Sequence, residues 1–264
     1  MKIAVGGNQV NYELNGPPSA QVLMLSHALA TNLTLWDPQM VVLLQDYRVL
    51  RYDTMGHGGT NAPPGPYTLD QLAEQAGGLL AALGIEGIHF LGISLGGMIG
   101  QMLALKMPRL LRSLVLSNTT SSIQEEAQPL WRERIRIAES EGMEPLVEPA
   151  IGRWFTPSFR AAHPEVLDRV RGMIRSTSPN GYSGCCHAIA ALNLTERLHG
   201  IRMPVLVITS EEDLGTPPAM SHTIHEKIDG SELVTLRSAS HLSNMEQPEA
   251  FTRTVITFLK RIAG

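Results

Sequence analysis

Apolar and polar positions along the chain alternate between two rhythms. Residues 2–5 and 10–14 flank the turn Gly6-Gly7-Asn8, and the second stretch alternates in polarity, which predicts a hairpin. Residues 22–25 are continuously apolar and 48–53 read similarly, as expected for strands buried on both faces, with a helix predicted between them at about 37–45. After a Gly- and Pro-rich loop, Thr68 and Gln71 form a capping-box pattern. Leu69, Leu72, Ala73, Ala76, Leu79, Leu80 and Leu83 then recur at helical spacing up to Gly84. A strand at 88–91, a helix at 95–107 stopped by Pro108 and a strand at 113–117 follow. Strand-like runs then vanish between residues 119 and 200, where amphipathic charged segments such as 130–137 appear. The strand rhythm returns at 204–209 and 232–236, and a last helix buries Phe251, Val255, Phe258, Leu259 and Ile262. Strands alternating with helices predict an α/β fold, a mostly parallel twisted sheet flanked by helices. Residues 1–118 and 201–264 would form its core, and 119–200 a helical cap over the carboxyl ends of the strands, where open α/β sheets place their sites.

Composition narrows the function classes. With 264 residues, 43% of them hydrophobic, the chain can bury a full core without disulfides or metal. A formal net charge of −4 is too acidic for the basic surface that nucleic-acid binding requires. No apolar run approaches the length of a membrane span, and the amino-terminal residues break at Gly6-Gly7-Asn8 before a signal-peptide core could form. Cys185 and Cys186 are adjacent, so a bridge between them would be strained, and no Cys/His zinc spacing surrounds them. A cytoplasmic protein with two reduced thiols and no metal or cofactor is expected, with no nucleic-acid or membrane partner. Its oligomeric state is not legible.

The chemistry is concentrated at strand ends. Gly92-Ile93-Ser94-Leu95-Gly96 fits G-x-S-x-G, with a strand leading in and a helix leading out. Such a turn lifts the serine hydroxyl off the sheet, and the flanking glycines leave room where side chains would collide. The alternative is a Gly-rich loop used only for packing. A serine nucleophile needs a base, and the base an orienting acid. Of nine histidines, His241 lies in the loop after the last strand. Glu211, Glu212 and Asp213 follow the strand ending at Thr209, and Asp213 is preferred, with Glu212 the nearest alternative. An oxyanion needs two amides, assigned to Leu29 and Leu95. His27 is either a loop histidine satisfied by backbone or a pocket wall.

These residues resemble the α/β-hydrolase superfamily, in which the chain order is serine, acid, histidine. Within it they resemble the 3-oxoadipate enol-lactonases of aromatic catabolism, over nearly the whole chain. The stretches that carry this are Leu35-Trp36-Asp37-Pro38-Gln39, the segment Arg48 to Thr54, Gly56-His57-Gly58, Arg153-Trp154-Phe155-Thr156-Pro157 and Ala239-Ser240-His241-Leu242-Ser243-Asn244. The resemblance implies an α/β-hydrolase fold, a triad of Ser94, Asp213 and His241, and a cap that gives Trp154 and Arg153 to the pocket. Arg153 could meet an anionic lactone or be a solvated cap residue, and Trp154 could be core or pocket. Three departures from the lactonase pattern stand out. His27-Ala28 stands for Asn-Ser, Met55 for Arg, and Leu95 for Met, of which the first two bear on the substrate. The expected function is hydrolysis of a small lactone or carboxylic ester. General esterase, perhydrolase or carbon–carbon hydrolase chemistry by the same triad, and a ligand-binding protein on the hydrolase fold, are the alternatives.

Overall fold

The computed structural model describes residues 1–263. Eight strands, β1 (Lys2–Val5), β2 (Asn8–Asn15), β3 (Val22–Ser26), β4 (Arg48–Tyr52), β5 (Ile88–Ile93), β6 (Leu111–Ser117), β7 (Val205–Ser210) and β8 (Glu232–Leu236), form one sheet in the order β1-β2-β4-β3-β5-β6-β7-β8. β2 runs antiparallel to both its neighbours, and every pairing from β4 to β8 is parallel. Residues of β5 and β7 are buried throughout, as expected of central parallel strands covered on both faces.

Eleven helices accompany this sheet: α1 (Asp37–Asp46), α2 (Leu69–Ala82), α3 (Leu95–Lys106), α4 (Gln128–Glu141), α5 (Val147–Trp154), α6 (Pro157–Ala162), α7 (Pro164–Ser176), α8 (Pro179–Ala190), α9 (Pro218–Lys227), α10 (Ser243–Glu246) and α11 (Pro248–Ala263). The capping box of α2 is complete. The Thr68 hydroxyl accepts the Gln71 amide, and the Gln71 side chain accepts the Thr68 amide at 2.9 Å. Four of the five apolar residues read into the last helix are buried, while Ile262 is only partly covered. Cys185 and Cys186 are buried free thiols on α8, and burial raises the pKa of both. No described helix is long and apolar enough to cross a membrane.

Two features of this architecture create the site. First, the register brings strand ends level: Ser26 of β3 pairs with Gly92 of β5, Ile93 with Ser117 of β6, and Ser117 with Ile208 of β7. The order of strands reverses between β3 and β5, the kind of switch point at which open α/β sheets bind ligands. Second, α4 to α8 all fall between β6 and β7. The chain leaves and re-enters the sheet through one short ribbon, where the Ile123 amide donates to Leu192 O at 3.0 Å and Leu194 to Ser121 O at 2.7 Å.

Candidate active site

The turn from β5 into α3 holds Ser94 at φ 55° and ψ −117°, a conformation that L residues rarely adopt. Packing forces it. A Cβ on Gly96 would lie 2.1 Å from the carbonyl oxygen of Ser26, and one on Gly92 would lie 2.2 Å from that of Gly96, so neither position admits a side chain. The Ser94 amide donates to Ser117 O at 2.9 Å, and its carbonyl accepts the Thr119 hydroxyl at 2.7 Å, pinning the strained turn to the end of β6.

The sequence-predicted residues meet here. Ser94 Oγ donates to His241 Nε2 at 2.8 Å, and His241 Nδ1 donates to the Asp213 carboxylate, 3.0 Å from each oxygen. Asp213 is buried and faces His241, whereas Glu212 is exposed. Asp213 also accepts the amides of Gly215 (2.7 Å) and Thr216 (2.9 Å), the Thr216 hydroxyl (2.8 Å) and the Asn118 side-chain amide (2.9 Å). Burial opposes its charge, but His241 and these donors outweigh burial and hold its pKa below the usual carboxylate value.

Asn118 was not expected. It sits at φ 45° just past β6, joins Asp213 to Ser210, and accepts the Ser243 hydroxyl at 2.7 Å. Nothing in the sequence marks it beyond its place at a strand's carboxyl end. Glu246 was also missed. It is buried and accepts the amides of Thr156 (3.0 Å) and Ser240 (2.7 Å), and burial raises its pKa against the pull of those donors. Alongside it, Leu242 N–H donates to Trp154 O at 3.2 Å and the Ser240 hydroxyl to Arg153 O at 3.1 Å. The histidine loop is therefore sewn to the end of α5.

His27 corrects the pocket reading. Its ring does not line the cavity above Ser94 and is wholly buried behind the loop that follows β3. His27 Nδ1 donates to Ala28 O at 2.8 Å and its Nε2 accepts the Thr54 amide at 2.9 Å. His57 brackets the same loop, with Nε2 accepting the Ala30 amide at 3.0 Å and Nδ1 donating to Met55 O. Burial lowers both pKa values, that of His57 to about 3, so both rings are neutral supports. They hold Ala30 at φ 58° and with it Leu29, whose amide has no hydrogen-bond partner among the described residues. The Leu95 amide opens α3, where helix amides lack intrahelical acceptors.

A cavity of about 170 Å³ opens over Ser94 and His241. Leu29, Trp154 and Arg153 line it, and the Trp154 ring stacks on His241 with centroids 6.4 Å apart. Trp131 and Arg134 of α4 line it too and were missed. A signal existed: Ala127, Leu130, Trp131 and Arg134 share one helical stripe, all four face the cavity, and an arginine on such a stripe is out of place.

A serine on a strained strand-to-helix turn, an acid after β7 and a histidine after β8, all at one edge of a mostly parallel sheet, define the α/β class of hydrolases. The chain belongs to the alpha/beta hydrolase fold family, whose sequence profile matches residues 21–248. It is 38% identical over 252 residues to 3-oxoadipate enol-lactonase 2 of Acinetobacter baylyi, covering 96% of this chain and 93% of that protein. The enol-lactonase from Burkholderia xenovorans superposes with a TM-score of 0.96 at 38% identity, covering 98% of this chain and all 100% of that one. A thermophilic esterase from Thermogutta terrifontis, solved with malate bound, gives 0.93 at 28% identity over 99% and 98%.

Proposed function

We propose that this protein is a serine hydrolase that opens a small lactone, most like 3-oxoadipate enol-lactone in aromatic catabolism. The observation that carries the reading is the continuous line Ser94–His241–Asp213 facing a cavity that also holds cationic side chains. Residues 119–200 act as the cap that roofs this cavity. Ser94 Oγ attacks the lactone carbonyl while His241 Nε2 takes its proton, and Asp213 keeps the imidazole in the tautomer with its proton on Nδ1. The amides of Leu29 and Leu95 hold the tetrahedral oxyanion, each contributing about 3 kcal/mol to the barrier reduction. Collapse breaks the acyl–oxygen bond, and His241 returns the proton to the departing enol oxygen. Water deprotonated by His241 then attacks the acyl-serine and releases the open-chain acid. The name of the A. baylyi relative identifies a substrate derived from a dicarboxylic acid, so one carboxylate stays free when the other is locked in the lactone. Arg153 is the cation assigned to it.

Purified protein should hydrolyse 3-oxoadipate enol-lactone with kcat/KM well above that for neutral esters, and Ser94→Ala should abolish both. A neutral ester preferred by about a hundredfold would instead select the general esterase reading, which the His27-Ala28 and Met55 departures favour. Equal activity in wild type and Ser94→Ala would overturn the catalytic role altogether.

A further inference from the structure

The turn that carries Leu29 is gripped from behind. Leu29 and Ala30 line the cavity above Ser94, whereas His27, Ala28 and Thr31 do not and are wholly buried. Thr31 N–H donates to Ala28 O at 3.2 Å, which closes a β-turn with Leu29 and Ala30 at its centre. The third position of such a turn takes the left-handed backbone that glycine usually supplies, and here Ala30 holds it at φ 58°. Strain of this kind persists only where its surroundings over-determine it. The Thr31 hydroxyl donates to the same carbonyl oxygen at 2.8 Å. His27 adds another donor: its Nε2 accepts the Thr54 amide, so the ring proton sits on Nδ1, 2.8 Å from Ala28 O and 3.2 Å from the Thr31 hydroxyl oxygen. Three donors therefore converge on the Ala28 carbonyl.

A planar trans peptide points its C=O and its N–H in opposite directions, and the Ala28–Leu29 bond is trans. Holding the Ala28 carbonyl towards the buried side thus aims the Leu29 N–H at the cavity. The next peptide plane is held as well, because the Ala30 N–H donates to His57 Nε2 at 3.0 Å. Leu29 is suspended between two fixed planes, and its own side chain sets neither.

We infer that Thr31, acting with His27 on the Ala28 carbonyl, is a positioning residue that sets both the direction and the strength of the Leu29 amide as an oxyanion donor. The inference rests on the hydrolase reading, which makes that amide a donor to the reacting oxygen. Direction matters because a donor already aimed at the developing charge needs no reorganisation during the reaction. Strength follows because donors on a carbonyl draw electron density towards its oxygen and leave the N–H of the same peptide a better donor. Both effects act on the charged tetrahedral oxygen far more than on the neutral carbonyl of the bound substrate. Losing the Thr31 hydroxyl should therefore lower kcat and spare KM.

The test varies one hydroxyl at nearly constant packing. Thr31→Ser and Thr31→Ala both lose the methyl group and differ from each other only in the donor to Ala28 O, while Thr31→Val keeps the shape of threonine without the donor. On p-nitrophenyl acetate, Thr31→Ala and Thr31→Val should lose about three- to tenfold in kcat, with KM within about twofold of wild type. Thr31→Ser should keep kcat within about twofold. Phenylboronic acid gives a readout without turnover. Ser94 Oγ adds to its boron, the serine proton passes to His241 Nε2, and a hydroxyl on the now anionic boron takes the oxyanion position. The Ki of this adduct should rise in Thr31→Ala and Thr31→Val in proportion to their fall in kcat/KM, in proteins shown to be folded by circular dichroism. If Thr31→Ala matched Thr31→Ser in kcat and in boronate Ki, or if the loss fell on KM alone, the positioning role would be overturned and the hydrolase reading left standing. A wild-type protein that neither turned over the ester nor bound the boronate would overturn the hydrolase reading and the positioning role with it.

Discussion

The floor of the cavity and its roof hold their polar groups in different ways. On the floor, Asp213 accepts four donors besides His241, and the Ser94 turn is pinned at both its amide and its carbonyl. His27 and His57 spend both ring nitrogens on the backbone around the Leu29 loop. On the roof, α4 and α5 present Trp131, Trp154 and two arginines without carboxylate partners among the described residues. Groups that must keep one geometry through every turnover need such over-determination. Groups that recognise a ligand are left unsatisfied so that the ligand completes them. The contrast divides the molecule into a part expected to govern kcat and a part expected to govern which substrate is turned over.

The largest effects should come from the floor. Asp213→Asn keeps the shape but offers His241 the wrong hydrogen-bond partner, and kcat should fall about 10⁴-fold with the fold intact by circular dichroism. Asn118→Gly keeps access to the left-handed backbone while removing one donor to the Asp213 carboxylate. A charged hydrogen bond of this kind is worth about 1.5–3 kcal/mol, so kcat should drop about ten- to a hundredfold with KM little changed. A rise in KM at constant kcat in either variant would erase the division between floor and roof.

How much of this was legible in the sequence follows the same line. Ser94 was readable because the turn it occupies excludes side chains at Gly92 and Gly96, and steric exclusion leaves a pattern in the residues themselves. Asp213 and His241 were placed because they follow strands whose apolar runs are plain, and Glu212, kept as the nearest alternative to Asp213, is exposed in the structure. Asn118 and Glu246 could not be read, since Asp213, which Asn118 supports, and Thr156, which Glu246 ties to the histidine loop, lie 95 and 90 residues away. Arg134 lies between these cases. Its helix was legible as amphipathic, but only the packed roof shows that its stripe faces a cavity and not the core. For His27 the sequence left two readings, backbone support or pocket wall, because proximity to the loop after β3 does not reveal which side of the loop a ring occupies.

Glu246 is the joint at which floor and roof meet, and it tests whether they are independent. Its carboxylate accepts one amide from the start of α6 and another from the histidine loop. In Glu246→Gln one end of the side chain becomes a donor and must face a backbone N–H, which leaves a buried pair unsatisfied. The expected cost is about 1–3 kcal/mol in urea unfolding, with a smaller fall in kcat as the His241 loop loosens. If the variant lost activity without losing stability, the joint would act on the histidine loop alone and leave the roof to the apolar contacts of Val147, Ala150 and Ile151.

Acid should find the floor before the roof. His57 is held neutral in the folded protein, with burial and then His27 lowering its pKa to about 3, while in the unfolded chain it titrates near its ordinary value of 6.5. Between those values the unfolded state binds the extra proton, so stability rises with pH and is lost as pH falls below 6.5. The slope from His57 approaches about 1.4 kcal/mol per pH unit, and His27, whose pKa burial also lowers, adds in the same direction. Arg153 of the roof does not titrate in this window, since its lowered pKa is about 10. Urea unfolding at pH 5, 6 and 7 should show this loss, and His57→Asn, though less stable throughout, should show a shallower dependence because its amide takes no proton. An unchanged slope in His57→Asn would place the acid sensitivity elsewhere and remove the histidine bracket from the list of features that make the floor rigid.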